Sequence, residues 1–236
     1  MEAACLELLA AAVLTAEKQL LCRTTSYLVA EPRLHRNIVI AAPHHAPGGV
    51  KTLPAPSHPT ADQNTGFLAR FVAEELGSAS LVAVNALLDP NKSLDTDYSR
   101  QIIAWSPDYV VEIHGHDGGN ALADVEISCG SEENSALSEA LSGRLTQLCL
   151  KQRGLDRLTI SGDFRNIFYK ASRTATMTTN RWLGFHIELP LWVRKGRHAP
   201  ALPDVARTFS HLLAVSLLDV LPLERRVENC DTRLDP

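Results

Sequence analysis

Three apolar runs in this sequence end in side chains that can do chemistry. Asn37-Ile38-Val39-Ile40-Ala41-Ala42 is stopped by Pro43 and followed by His44 and His45. Val110-Val111-Glu112-Ile113 runs into His114-Gly115-His116-Asp117 and a pair of glycines. Phe185-His186-Ile187-Glu188-Leu189 is ended by Pro190. Asp62 follows the first histidines by seventeen or eighteen residues. Imidazoles with one carboxylate are the ligand set of a catalytic zinc, which takes three protein ligands and keeps a fourth position open. A glutamate beside such a centre can take a proton from water while the cation polarises a carbonyl. Arg100 suits a substrate carboxylate, which a guanidinium grips as a two-pronged fork.

These residues need strands to carry them. Alternation along 109–114 puts Val110, Glu112 and His114 on one face and Val111 and Ile113 on the other. In an open α/β sheet, ligands gather at the carboxyl ends of the strands. The expected elements alternate: a strand at 37–42, a helix from Asp62 to about Leu76, and a strand at Leu81–Val84. A polar connection over 85–99 leads to the strand at 109–114. Further strands are expected at Asp124–Cys129, Leu158–Ile160 and Phe185–Leu189. Helices are expected over 132–151 and from Pro203 to about Leu221. Residues 50–61, with three prolines, read as loop, and 161–182 as polar and poorly periodic. The pattern predicts one α/β domain over 1–236: a mixed, mainly parallel sheet with helices on both faces. Residues 3–22 read as an amphipathic helix packing on it.

Composition narrows the field. The 236 residues carry a net charge of -4, which gives no electrostatic footprint for nucleic acid or an anionic membrane. Five scattered cysteines without a CxxC pair indicate neither a zinc ribbon nor a disulfide framework, so a reduced, cytoplasmic setting is expected. The apolar stretch Cys5–Leu14 is too short to span a bilayer, and Glu2 and Glu7 stand where a signal peptide needs positive charge.

Plainer roles are open to each residue singly. His44-His45 could be an exposed loop pair, Asp62 a helix cap, His186 a hydrogen-bonded core histidine, and Glu112 the partner of a nearby arginine. Cys129 could be a nucleophile, although an inert buried thiol is commoner. Gly48-Gly49 lacks the lysine of a phosphate loop, and no GxSxG elbow is present. What favours chemistry is that three strand ends each carry a ligand-type or base-type side chain.

The order of these motifs resembles the N-formylglutamate amidohydrolase family, within the zinc carboxypeptidase-like group. The matching segments are Pro43-His44, Thr60-Ala61-Asp62, Asp97-Tyr98-Ser99-Arg100, Glu112-Ile113-His114-Gly115 and His186-Ile187-Glu188. They span about residues 37 to 195. Each departs a little from the family pattern: Ser99 stands for an asparagine, Glu112 for an aspartate and His186 for a glutamine. The resemblance implies one zinc ion held by His44 or His45, Asp62 and His114. Glu188 would act as base and later as proton donor, and Glu112 would orient His114. Arg100 and His116 would contact substrate, and Arg165, Arg173 and Arg181 could line its approach. The implied activity is hydrolysis of an amide or N-acyl bond in a small carboxylate-bearing or peptide-like substrate. Two rival expectations stand beside it: a zinc peptidase or poly-γ-glutamate-type hydrolase with a longer groove, and a non-catalytic binding protein of the same fold.

Overall fold

The computed structural model describes residues 26–33, 35–195 and 202–222. The expected helix at 3–22 lies outside them. Among the described residues, eight strands form one sheet in the order β1-β4-β2-β5-β8-β6-β7, with β3 paired on β2. The strands are β1 (Tyr27–Glu31), β2 (His35–Ala46), β3 (Asp62–Gln63), β4 (Ser78–Val84), β5 (Tyr109–His116), β6 (Val125–Ser128), β7 (Ile160–Ser161) and β8 (Leu183–Pro190). The central four, β4, β2, β5 and β8, run parallel. β1 joins β4 antiparallel at one side, and β6 joins β8 antiparallel at the other. This is the mixed, mainly parallel α/β sheet that the alternation predicts.

Helices α1 (Thr65–Leu76), α3 (Ser135–Cys149) and α6 (Asp204–Val220) cover one face. They bury Leu68, Val72, Leu141, Leu145, Phe209 and Leu213 against Ile38, Ile40, Val111, Ile113, Phe185 and Ile187. Each such side chain, fully buried, contributes about 1.5–3 kcal/mol. The opposite face carries α2 (Asp97–Trp105) and the single turn α4 (Ala175–Thr178), which pack Tyr98, Ile102 and Met177 on Val39, Ala41, Leu81 and Val110. A further turn, α5 (Leu191–Arg194), follows β8 directly.

The differences from the sequence reading are local. Asp62 does not open α1: it pairs beside His45 in β3, and the helix begins three residues later. The "polar connection" continues into α2, because Thr96 accepts from the Ser99 amide as an N-cap and Tyr98, Ser99 and Ile102 are buried. The strand expected at Leu158–Ile160 is Ile160–Ser161. No helix of the described residues is long and apolar enough to cross a membrane.

Candidate metal centre

Because β2, β5 and β8 are parallel, their last residues meet at one edge. β5 and β8 pair Glu112 with His186 and His114 with Glu188. Period-two alternation therefore sends Glu112, His114, His186 and Glu188 to the face opposite α1, and sends Val111, Ile113, Ile187 and Leu189 to the apolar face.

β2 reaches the same face by a different device. Ile38, Ile40 and Ala42 point to the α1 side, so strict alternation would send His44 there too. The register against β4 slips between Ala42 and His45. The extra residue is a bulge, which re-aims the side chains beyond it. His44 then faces His114, and His45 takes the α1 side. There the Gly66 amide, in the first turn of α1, donates to His45 Nδ1 at 3.1 Å, and Phe67 packs edge-on to the ring. Burial pushes the His45 pKa down to about 3. A Cβ on Gly66 would lie 2.8 Å from the same ring. The structure thus separates the two histidines: His44 joins the cluster, and His45 closes a helix terminus.

Three ligand-type atoms converge at the edge. His44 Nδ1 lies 3.2 Å from His114 Nδ1, and Asp62 Oδ2 lies 3.5 Å and 3.4 Å from the two. All three residues are at least 96% buried. Each imidazole is held from behind. Asp89 Oδ1 accepts from His44 Nε2 at 2.9 Å, and Glu112 Oε2 accepts from His114 Nε2 at 3.2 Å. A carboxylate only accepts, so each Nε2 carries a hydrogen, and an imidazole that is neutral turns its Nδ1 lone pair inward. Two lone pairs and a carboxylate oxygen within 3.5 Å repel one another unless positive charge lies among them. Ligands of a tetrahedral zinc, at about 2.0–2.1 Å from the ion, stand about 3.3–3.4 Å apart. The observed edges match. The donor set, two nitrogens and one carboxylate oxygen with carboxylates behind the imidazoles, also fits zinc.

The protons of this site respond to the same demand. Burial lowers the His114 pKa, but Asp62 and Glu112 outweigh it and hold His114 up to about 10. Burial raises the Asp62 pKa, but bonds from His114 and His44 win and hold its carboxyl far below the usual range. Glu188 is pushed up to about 7, chiefly by burial. Its Oε1 lies 3.5 Å from His186 Nε2, and its buried Oε2 has no hydrogen-bond partner among the described residues. His186 stacks on His114 at 4.1 Å between ring centroids.

Sequence reasoning missed several supporting residues. Glu112 accepts from Tyr98 Oη at 3.0 Å and Asn91 Nδ2 at 2.8 Å besides His114. Its partner is thus a histidine rather than an arginine. His58, from the proline-rich loop, stacks on His44 at 3.6 Å. Arg194 is buried and spends its guanidinium on three carbonyls: Leu189 O at 3.1 Å, Gln63 O at 2.9 Å and His116 O at 3.0 Å. It thereby ties together the ends of β8, β3 and β5. A Cβ on Gly115 would fall 2.0 Å from its Cζ, which is why the residue between the two histidines has no side chain. An arginine four residues past the end of an apolar strand was the available signal.

Two expected substrate contacts are placed differently. Arg100 is not at the centre. Helical spacing puts it on the outer side of α2 with Asp97, 4.0 Å away, and its side chain is 64% exposed. His116 is buried beyond His114, donating through Nε2 to Asp124 O at 2.9 Å and stacked on Tyr169 at 5.6 Å. Arg165 is paired with Glu132 and exposed, and Arg173 and Arg181 are also exposed. Cys129 lies on the apolar face, away from the histidines, and burial pushes its thiol up to about 12.

No family model and no curated protein matches the sequence. Solved structures do. A bacteriophage poly-γ-glutamate hydrolase is 12% identical over 84% of this chain and 91% of its own, with a TM-score of 0.49. An N-formylglutamate amidohydrolase from Ralstonia eutropha JMP134 is 12% identical over 82% and 96%, at 0.46. A metallo-carboxypeptidase from Burkholderia cenocepacia is 12% identical over 89% and 67%, at 0.44. Likeness at this level concerns the chain path alone. The chemistry has to be argued from the side chains.

Proposed function

We propose that this chain is a metal-dependent amidohydrolase, cleaving an amide or N-acyl bond of a small carboxylate-bearing or peptide-like substrate. The observation that carries the reading is the triangle of His44 Nδ1, His114 Nδ1 and Asp62 Oδ2, its edges all between 3.2 and 3.5 Å. These three residues would hold one zinc ion. When bound, it supplies Lewis acidity, worth several kcal/mol to charge developing on a scissile carbonyl oxygen.

The chain's own groups do the rest. Glu188, buried and raised to about 7, is poised to hold or release a proton near neutral pH. Its unpartnered Oε2 takes a proton from the attacking water as the new C–O bond forms. The same proton passes to the amine nitrogen as the C–N bond breaks, leaving a carboxylic acid and an amine, which exchange one further proton to give carboxylate and ammonium. Glu112 and Asp89 keep the two imidazoles in the tautomer that exposes Nδ1. Arg194 keeps the strand ends from splaying. The site residues come from distant parts of the chain, so the whole of 35–195 is needed. A cytoplasmic setting belongs to the same proposal.

Metal analysis tests it directly. Protein purified without chelator should hold about one zinc per chain. His44→Ala and Asp62→Ala should lose it, and His45→Ala should keep it. Full hydrolytic activity in metal-free protein would end the reading. Zinc retained with no hydrolysis across N-acyl amino acids and γ-glutamyl peptides would favour a binding protein.

A further inference from the structure

At the carboxyl ends of β5 and β8 the structure opens a cavity of about 620 Å³. It begins at His116 and Pro190, paired neighbours two residues past His114 and Glu188. Its walls include Leu122, Leu191 and Trp192, together with Lys195, Asp117 and Asp124. These three apolar side chains are 69%, 37% and 45% exposed and line the same cavity, so their apolar surface is grouped rather than scattered.

The cavity is built rather than incidental. Glu126 is fully buried on β6, facing the site side, and its carboxylate accepts four backbone amides. Oε1 takes Leu122 N at 2.6 Å and Ala123 N at 3.4 Å, and Oε2 takes Phe168 N at 2.9 Å and Tyr169 N at 2.8 Å. One carboxylate so fixes both the loop that carries Leu122 and the loop whose Tyr169 stacks on His116. His116 is 94% buried, and its Nε2 must hold the hydrogen given to Asp124 O. Its Nδ1 is buried and has no hydrogen-bond partner among the described residues.

Resting on the hydrolase reading above, we propose that this cavity is a subsite for a bulky apolar group on the substrate. The substrate class is then an N-acyl amino acid or peptide with an aromatic or long aliphatic chain on one side of the scissile amide. A formyl or acetyl group alone leaves most of such a volume unfilled. The apolar chain lies between Leu122 and Trp192, and Lys195 meets a carboxylate of the substrate.

Two substrate pairs test it: N-acetyl- against N-(4-phenylbutanoyl)-L-glutamate for the acyl side, and N-formyl-L-alanine against N-formyl-L-tryptophan for the amine side. The zinc-loaded protein should prefer the bulky member of one pair by at least tenfold in kcat/KM. Trp192→Ala and Leu122→Asp, both at exposed positions, should each cut that preference tenfold or more. Binding of N-(4-phenylbutanoyl)-L-glutamate and N-formyl-L-tryptophan is followed in parallel by calorimetry. No preference in either pair, or one that survives both substitutions, overturns the subsite while leaving the hydrolase intact. Binding weakened by both substitutions, with no hydrolysis of any compound, supports the subsite and overturns the hydrolase.

Discussion

The two faces of the sheet are written by the same strands and do opposite work. On one face, Ile38, Ile40, Val111, Ile113, Phe185 and Ile187 form an apolar floor under three helices. On the other, the floor is apolar through Val39, Ala41 and Val110 and then turns into Glu112, His114, His186 and Glu188. All four of these polar groups are at least 93% buried. Burying charge costs several kcal/mol per ion unless partners repay it. The apolar face therefore supplies folding free energy, and the polar face draws on it to hold charges in a fixed geometry. Substitutions on the two faces should separate cleanly into stability and chemistry.

The largest separation is expected at Glu188. Glu188→Gln keeps size and burial and removes the proton acceptor. Turnover should fall about 10²–10⁴-fold, the typical worth of a positioned acid–base group. Zinc content and thermal midpoint should stay near wild type. If zinc is lost instead, Glu188 is a ligand and the base must be sought elsewhere. Phe209→Ala is the reciprocal experiment. This fully buried ring of α6 belongs to the apolar face. Its loss should cost about 3–5 kcal/mol in denaturant unfolding. Zinc affinity of the remaining folded protein should be unchanged, and a parallel loss of affinity would mean the faces are not separable.

The neighbours His44 and His45 bring the comparison down to one peptide bond, and they also show what a sequence can reveal. Alternation made the faces of β5 and β8 legible, and with them His114, Glu112 and Glu188. It left His44 and His45 undecided, because the bulge that re-aims them is a slip of hydrogen-bond register against β4. Such a slip has no side-chain signature. Arg100 lies on the exposed side for a related reason: a motif match ignores helix phase, and α2 turns Tyr98 inward and Arg100 out. Asp89 and Asn91 were hidden in a connection with no period at all. Glu112→Gln sharpens the point. It leaves the ligands in place and weakens the carboxylate that orients His114, so zinc affinity should fall about 10–100-fold. His45→Ala should instead cost about 1–3 kcal/mol in stability, for an amide of α1 left without its acceptor, at constant zinc affinity. Equal effects of the two variants on zinc would erase the distinction between the faces.

The smallest effect, and the most specific to the polar face, is a proton. In the metal-free protein the pKa of His114 is held up to about 10, because Asp62 and Glu112 outweigh its burial. At pH 7 its imidazole is then charged, and a cation entering the triangle must displace that hydrogen. Zinc affinity should climb as pH rises toward about 10, by up to about tenfold per unit for one proton. The same shift acts on folding without metal. The folded value lies above the ordinary imidazole value of about 6.5, so the stabilisation is complete below that pH and disappears as pH rises through about 10. Asp62 runs the other way: its folded pKa is depressed, so its share is present above about pH 4 and is lost in acid. Calorimetry of zinc binding at pH 7, in two buffers of different ionisation enthalpy, counts the hydrogens released. About one per ion is expected. A count of zero would mean that the triangle already holds both imidazoles neutral, and that its carboxylates are balanced by something other than His114.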